Sequence, residues 1–235
     1  MQKTRTKFAS QIERTSPRIT VNKMGEYLCA FAARRARIIY DAKYPKDFIT
    51  TRYSKAETAI KDFFLNENKD SQLILQAIDQ LSKQKPTNKH QHEVIYSCIE
   101  ALTEFLKFIG DSDLLEDDRG FFDGISKSAS MTISGVKISI RPEILIHDKK
   151  EISGGVKLYF SKSFPLSKTS SEYIGTLLMK YLEQEYQKPI KARNCFVIDI
   201  FNKTIYTAPK AYIKRLQDIE AACTEISNQW KFVQF

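Results

Sequence analysis

Near residue 110 the hydrophobic period of this 235-residue chain changes, and that change constrains its fold more than any other feature. Before it, apolar residues recur at helical spacings of three and four. After it, they alternate with polar residues in the two-residue period of a strand.

The first half reads as helix throughout. Asn22 can cap a helix whose apolar face carries Met24, Tyr27, Leu28 and Phe31, and ARRARIIYDAKYP continues it as far as Pro45. Ser54-Lys-Ala-Glu57 has the pattern of a capping box and opens a helix through Ile60, Phe63 and Phe64. Leu73, Ile74, Ala77, Ile78 and Leu81 mark another, which stops before Pro86. The longest begins near Asn88, carries Val94, Cys98, Ala101, Leu102, Phe105 and Ile109 on one stripe, and ends at Gly110. Next comes GDSDLLEDDRGFFDG, with six acids against one arginine, which reads as a loop.

Strand patterns follow in SMTISGVKISIRPEILIHD and ISGGVKLYFSK. Helix returns at Ser170, with Ile174, Leu177, Leu178, Tyr181 and Leu182 on one face. NCFVIDIFNKTIYTAP reads as a strand, a turn at Asn202-Lys203 and a second strand, and a last helix carries Tyr212 through Trp230. This order predicts an α/β (α+β) chain: a basic helical region over 1–87, then a mixed sheet flanked by helices over 88–235.

The formal net charge is +9, and it is unevenly spread. Residues 1–43 hold ten basic residues, Lys3, Arg5 and Lys7 among them, against three acids, so seven of the nine surplus charges fall there. A basic surplus speaks of partners rather than fold. Lys23, Arg34, Arg35 and Arg37 sit on predicted helix, where guanidinium groups suit phosphate oxygens. They are the candidate nucleic-acid contacts, with DNA favoured over RNA, although a solvated basic face has the same appearance. No apolar run approaches the roughly 20 residues that cross a bilayer, so no membrane partner is expected. The opening MQKTRTKFASQIER lacks the apolar stretch of a signal peptide. Cys29, Cys98, Cys195 and Cys223 form no CxxC pair and read as small buried hydrophobes in a reducing, cytoplasmic setting. His90, His92 and His147 are too few for a zinc site. Phosphate loops, dinucleotide fingerprints and nucleophile elbows are absent.

Two short motifs stand in the strand half. Arg141-Pro142-Glu143 places an acid after a proline, and Gly154 to Lys162 holds two lysines in the following strand pattern. Together with the element order, they resemble the core of the PD-(D/E)XK nuclease superfamily, over residues 88–230 at most and mainly over 130–162. The resemblance implies a restriction-endonuclease-like sheet. It also implies a Mg²⁺ site, because carboxylates hold a hard cation beside the scissile phosphate while a lysine stabilises developing charge. In those terms Glu143 is a catalytic residue and metal ligand, and Lys157 or Lys162 is the family lysine. Five residues apart, the two lysines face opposite sides of a regular strand.

The sequence departs from the family pattern at the third-strand acid. Its position falls on Gly155 if Lys157 is the lysine, or on Phe160 if Lys162 is. A relocated acid would have to serve: Glu100, flanked on its helix face by Glu93 and Glu104, or Glu172 on the following helix. Asp199, inside the apolar FVIDIF, reads either as a functional acid or as a satisfied core acid. The resemblance therefore implies a metal-dependent DNA endonuclease or a nuclease-like subunit of a bacterial defence or mobile-element system. Without the missing acid it implies an inert binding or protein-interaction scaffold, with a protein partner or a second copy of the chain. Gly154-Gly155 reads as a strand-entry turn or bulge, or as a place where backbone approaches a phosphate.

Overall fold

The computed structural model describes residues 12–45, 52–110, 112–115, 119–125 and 129–234. Lys3, Arg5 and Lys7 lie outside these residues, as do the acids at 111 and 116–118. The described chain is mixed α and β. It opens with β1 (Arg18–Thr20), α1 (Val21–Cys29), α2 (Ala32–Lys43), α3 (Ser54–Leu65), α4 (Gln72–Ser82) and α5 (Lys89–Ile109). Then come β2 (Gly120–Asp123), β3 (Ser130–Ile133), β4 (Val136–Ser139), β5 (Ile144–Asp148) and β6 (Glu151–Tyr159). The chain closes with α6 (Lys168–Tyr186), β7 (Cys195–Asp199), β8 (Thr204–Thr207) and α7 (Ile213–Trp230).

The main sheet has five strands in the order β2-β5-β6-β7-β8. β2, β5 and β6 run antiparallel in succession, β7 lies parallel to β6, and β8 returns antiparallel. The crossover between the parallel strands is α6, as a parallel connection requires. Leaving out the β3–β4 hairpin, the order from α5 onward is helix, three antiparallel strands, helix, parallel strand. The hairpin turns at Ser134-Gly135 and forms a separate three-stranded sheet, in which β4 also pairs in parallel with β1.

Strand alternation sends the main sheet's side chains into two cores. Ile144, Ile146, Val156, Leu158, Phe196 and Ile198 face a layer of α3, α4 and α5, built on Phe63, Phe64, Leu102 and Phe105. Leu145, Tyr159, Cys195 and Val197 face the opposite layer, where α6 packs with α1, α2, α7 and the small sheet. Side chains of this size each contribute about 1.5–3 kcal/mol when fully buried. The first 87 residues thus supply helices to both faces of the sheet, and α4 shares its core with α5 across the predicted boundary at 87/88.

Several local expectations need correction. The segment 110–124 is not all loop: GFFD is the edge strand β2, paired with β5. Arg18–Thr20 is a strand that the basic N-terminal pattern concealed. Thr20, not Asn22, caps α1, accepting from Lys23 N at 3.3 Å. The first helix also breaks at Ala30 and Phe31, both extended, so α1 and α2 are separate. The capping box at Ser54-x-x-Glu57 does not form, because the Glu57 carboxylate binds Arg141 instead. Asn88 does cap α5, accepting from Gln91 N.

Candidate functional site

Glu143 immediately precedes β5, and its N–H donates to Val156 O at 3.0 Å, which extends the β5–β6 register by one step. That places Glu143 opposite Lys157 on the α6 side of the sheet. The two ion-pair directly and are only 4% and 7% exposed. The second carboxylate oxygen of Glu143 accepts from Leu158 N at 2.7 Å, and Lys157 Nζ also donates to Arg141 O at 2.9 Å. Arg141 is left-handed (φ 35°), a strain of about 1–3 kcal/mol for a non-glycine residue. Its guanidinium lies 2.6 Å from Glu57 Oε2 and 3.7 Å from Glu143 Oε1, so an arginine stands between the two carboxylates. Burial pushes the Glu143 carboxyl above the usual carboxylate range, against the pull of Lys157. Lys61, paired with Asp123 at 2.5 Å, completes a small polar cavity with Glu57, Arg141 and Glu143.

Of the two candidate lysines, Lys157 therefore meets Glu143. Lys162 lies past the end of β6 and pairs with Glu100 on α5. Glu172 binds Arg215 of α7, at 2.9 Å from its Nε. Glu93 lies 3.8 Å from Arg52, and Glu104 pairs with Lys107 and Lys203. The acidic stripe of α5 thus ties down basic residues from three different loops. Gly155, where the family acid would stand, is tightly enclosed: a Cβ there would sit 3.1 Å from Ile144 O and 3.2 Å from Leu182 Cδ1, so these neighbours would have to give by a few tenths of an ångström. Gly154 lies beside a register shift in the β5–β6 pair, in agreement with the bulge reading, and its flank is filled by the Asn194 backbone.

As arranged, these donors do not offer Mg²⁺ a site. Mg²⁺ takes six oxygens in near-octahedral geometry, several of them waters and one or two of them carboxylate oxygens free to bind it. Both oxygens of Glu143 already accept from protein donors, and the nearest acid, Glu57, is separated from it by a guanidinium. Among the described residues, no three His, Cys, Asp or Glu side chains converge as a metal site would need.

Each of the four predicted phosphate contacts holds an acid. Lys23 and Arg34 both grip Glu26, a carboxylate 1% exposed, with Nζ at 2.5 Å and Nε at 2.6 Å. Arg35 pairs with Glu225 at 3.2 Å and lies over the Tyr27 ring, and Arg37 pairs with Asp41 one turn on. Lys23 also lines a cavity.

That cavity is a cleft of about 530 Å³ where α1, the residues before α3 and the end of β6 meet. It opens at the carboxyl ends of the parallel pair β6–β7, the edge at which open α/β sheets take ligands. Lys23, Arg52 and Lys162 reach it from three separate elements, and their side chains are 47%, 48% and 46% exposed. One side is aromatic: Tyr53 and Phe160, which line it, stack with centroids 5.0 Å apart, while Phe201 outside the lining meets Tyr53 edge-on and its centroid lies 4.9 Å from Lys162 Nζ; the Glu26 carboxylate also lines the cleft. Tyr53 lines this cleft, while Glu57, one turn further along α3, serves Arg141. Sequence reasoning named Lys23 and Lys162 separately, for different roles, and missed Arg52, Tyr53, Phe160, Glu57 and Arg141. No local pattern joins these residues, which lie in segments far apart in the chain.

The remaining candidates have structural settings. Asp199 is fully buried and accepts from Leu166 N at 2.8 Å and Asn202 N at 3.2 Å, while burial raises its carboxyl pKa. Cys98, Cys195 and Cys223 are buried as expected. Cys29 is not, because it is the last residue of α1 and stands exposed. No described helix is long and apolar enough to cross a membrane. Comparison with protein-family models finds no match to this chain, and comparison with curated proteins finds none either.

Proposed function

We propose that this chain binds nucleic acid through the cleft between α1 and the end of β6, and that its nuclease-like sheet serves as scaffold rather than catalyst. The observation that carries this reading is the convergence of Lys23, Arg52 and Lys162, each about half exposed, on one aromatic-walled cleft. The Arg52–Glu93 and Lys162–Glu100 pairs join part-exposed groups and are worth about 1 kcal/mol or less, so phosphate oxygens can displace these partners, while Lys23 also serves the buried Glu26. The element order from α5 to β7 and the Glu143–Lys157 pair support descent from a PD-(D/E)XK-type core. In that core the acid and lysine now neutralise each other, and Arg141 holds the place between the carboxylates.

Fluorescence anisotropy of a labelled DNA oligonucleotide, read across a salt series, tests the proposal. The logarithm of affinity falls linearly with the logarithm of salt concentration, with a slope of about 0.7–0.9 per phosphate neutralised. The Arg52→Ala/Lys162→Ala double variant weakens binding and flattens the slope by about 1–2. Binding that ignores salt, or that survives this variant unchanged, would falsify the proposal.

One observation favours a second reading. Glu57 brings another carboxylate within reach of the Arg141 guanidinium that also faces Glu143. Glu57 and Glu143 border the same small cavity, so an Arg141 displaced from it would leave two acids there, as a metal-dependent nuclease needs. Divalent-dependent cleavage of DNA that disappears in Glu143→Ala would establish that reading in place of the scaffold.

A further inference from the structure

We infer that the cleft receives an unpaired nucleotide of a single strand rather than the backbone of a duplex. This rests on the proposed nucleic-acid function and specifies its ligand. Two observations carry it.

The cations stand on the walls of a concavity, not along a ridge or an open face. At about 530 Å³ the cleft lies within the range of small-ligand pockets, roughly 300–1,000 Å³, and suits one nucleotide unit. A duplex turns its bases inward and presents only groove edges and phosphates, so it would meet the rim alone.

The wall between the cations is made of rings. Tyr53 and Phe160 both line the cleft and are partly exposed, and their stack is nearly parallel, with 10° between the planes. Unpaired bases stack on such rings whatever their sequence, and cations beside the rings hold the phosphates. Lys162 combines the two roles: it faces the cleft and lies over Phe201.

The test compares labelled single-stranded DNA with a duplex of the same sequence by anisotropy, and adds a single strand carrying 2-aminopurine, whose fluorescence is quenched on stacking. The single strand binds at least about tenfold more tightly, its 2-aminopurine is quenched, and Phe160→Leu weakens it by about tenfold or more. Thermal melts confirm that Phe160→Leu is folded, and the quenching of the unaltered protein is a readout that does not depend on the variant. Equal affinity for duplex and single strand without quenching, both lost in Arg52→Ala/Lys162→Ala, would overturn this inference and leave nucleic-acid binding standing. Absence of binding to either probe at low salt would overturn both.

Discussion

Glu143 and Lys157 face one another across the first step of the β5–β6 pair and bury opposite charges together. Removing one partner of a buried pair leaves the other desolvated and uncompensated, which costs about 3–5 kcal/mol. Lys157→Met should therefore lower unfolding free energy in urea by that amount. Glu143→Leu combined with Lys157→Met should recover most of it, because an apolar pair of similar volume is about as stable as a buried ion pair. A double variant no better than the single one would show that the wider network, with Arg141 and Leu158 N, needs the carboxylate itself.

Gly155→Glu restores the acid that the family pattern lacks. The side chain would be forced against the Ile144 carbonyl and Leu182, in a packed layer under α6. Overpacking of this kind costs about 1–3 kcal/mol, and an unpaired buried charge adds to it. The expected result is a lower melting temperature, with no Mg²⁺ binding by calorimetry.

The cations of the N-terminal helices should separate into two groups. Arg34 helps neutralise Glu26, which is almost wholly buried, so Arg34→Ala should destabilise by about 1–3 kcal/mol. Arg37 pairs with Asp41 on an exposed helix face, where i,i+4 pairs contribute about 0.3–0.5 kcal/mol. Chemical denaturation of the two variants side by side checks the difference.

Asp199 makes stability depend on pH. Its carboxyl pKa is raised in the folded chain, so the folded state holds the proton more tightly than the unfolded one. The corresponding stabilisation is fully present below the ordinary aspartate pKa and is lost as pH rises through the folded value. Relative to Asp199→Asn, the unaltered protein should therefore gain stability as pH falls from neutral towards about 4. Urea midpoints at several pH values would reveal it, and parallel curves for the two proteins would reject it.

On the proposed function, Glu100, which pairs with Lys162, would compete with phosphate for it. An exposed pair of this kind is worth at most about 1 kcal/mol, so Glu100→Gln should raise nucleic-acid affinity by up to about fivefold. The same anisotropy titration reads the change.

The switch from helical to strand period located α3 to α7 and most of the main sheet, because the helices turn an apolar stripe to a core and the central strands are apolar runs buried on both faces. β2 escaped notice because its four residues sit among acids, and only pairing with β5 makes GFFD a strand. β1 escaped because three residues carry no period. Glu143 and one lysine were readable from Pro-Glu and GGVK, but the choice of Lys157 depends on register, which the turn and the bulge near Gly154 set. Glu57 carried two instructions, a cap for α3 and a partner for Arg141, and the residue 84 positions away prevailed. The cleft was not readable as a unit, since Lys23, Arg52 and Lys162 meet only once α1 lies beside the end of β6.

The two-sided use of the N-terminal helices also bears on biosynthesis. Met24 and Tyr27 of α1 are buried in the same core as Ile174 and Leu178 of α6, and Trp230 donates to Arg14 O at 3.2 Å. At translation rates of about 5–20 residues per second, α1 emerges from the ribosome on the order of 10 s before the helix that covers it. During that interval its apolar face is an offer to chaperones. α1 must wait for α6 and α7 before this layer can close.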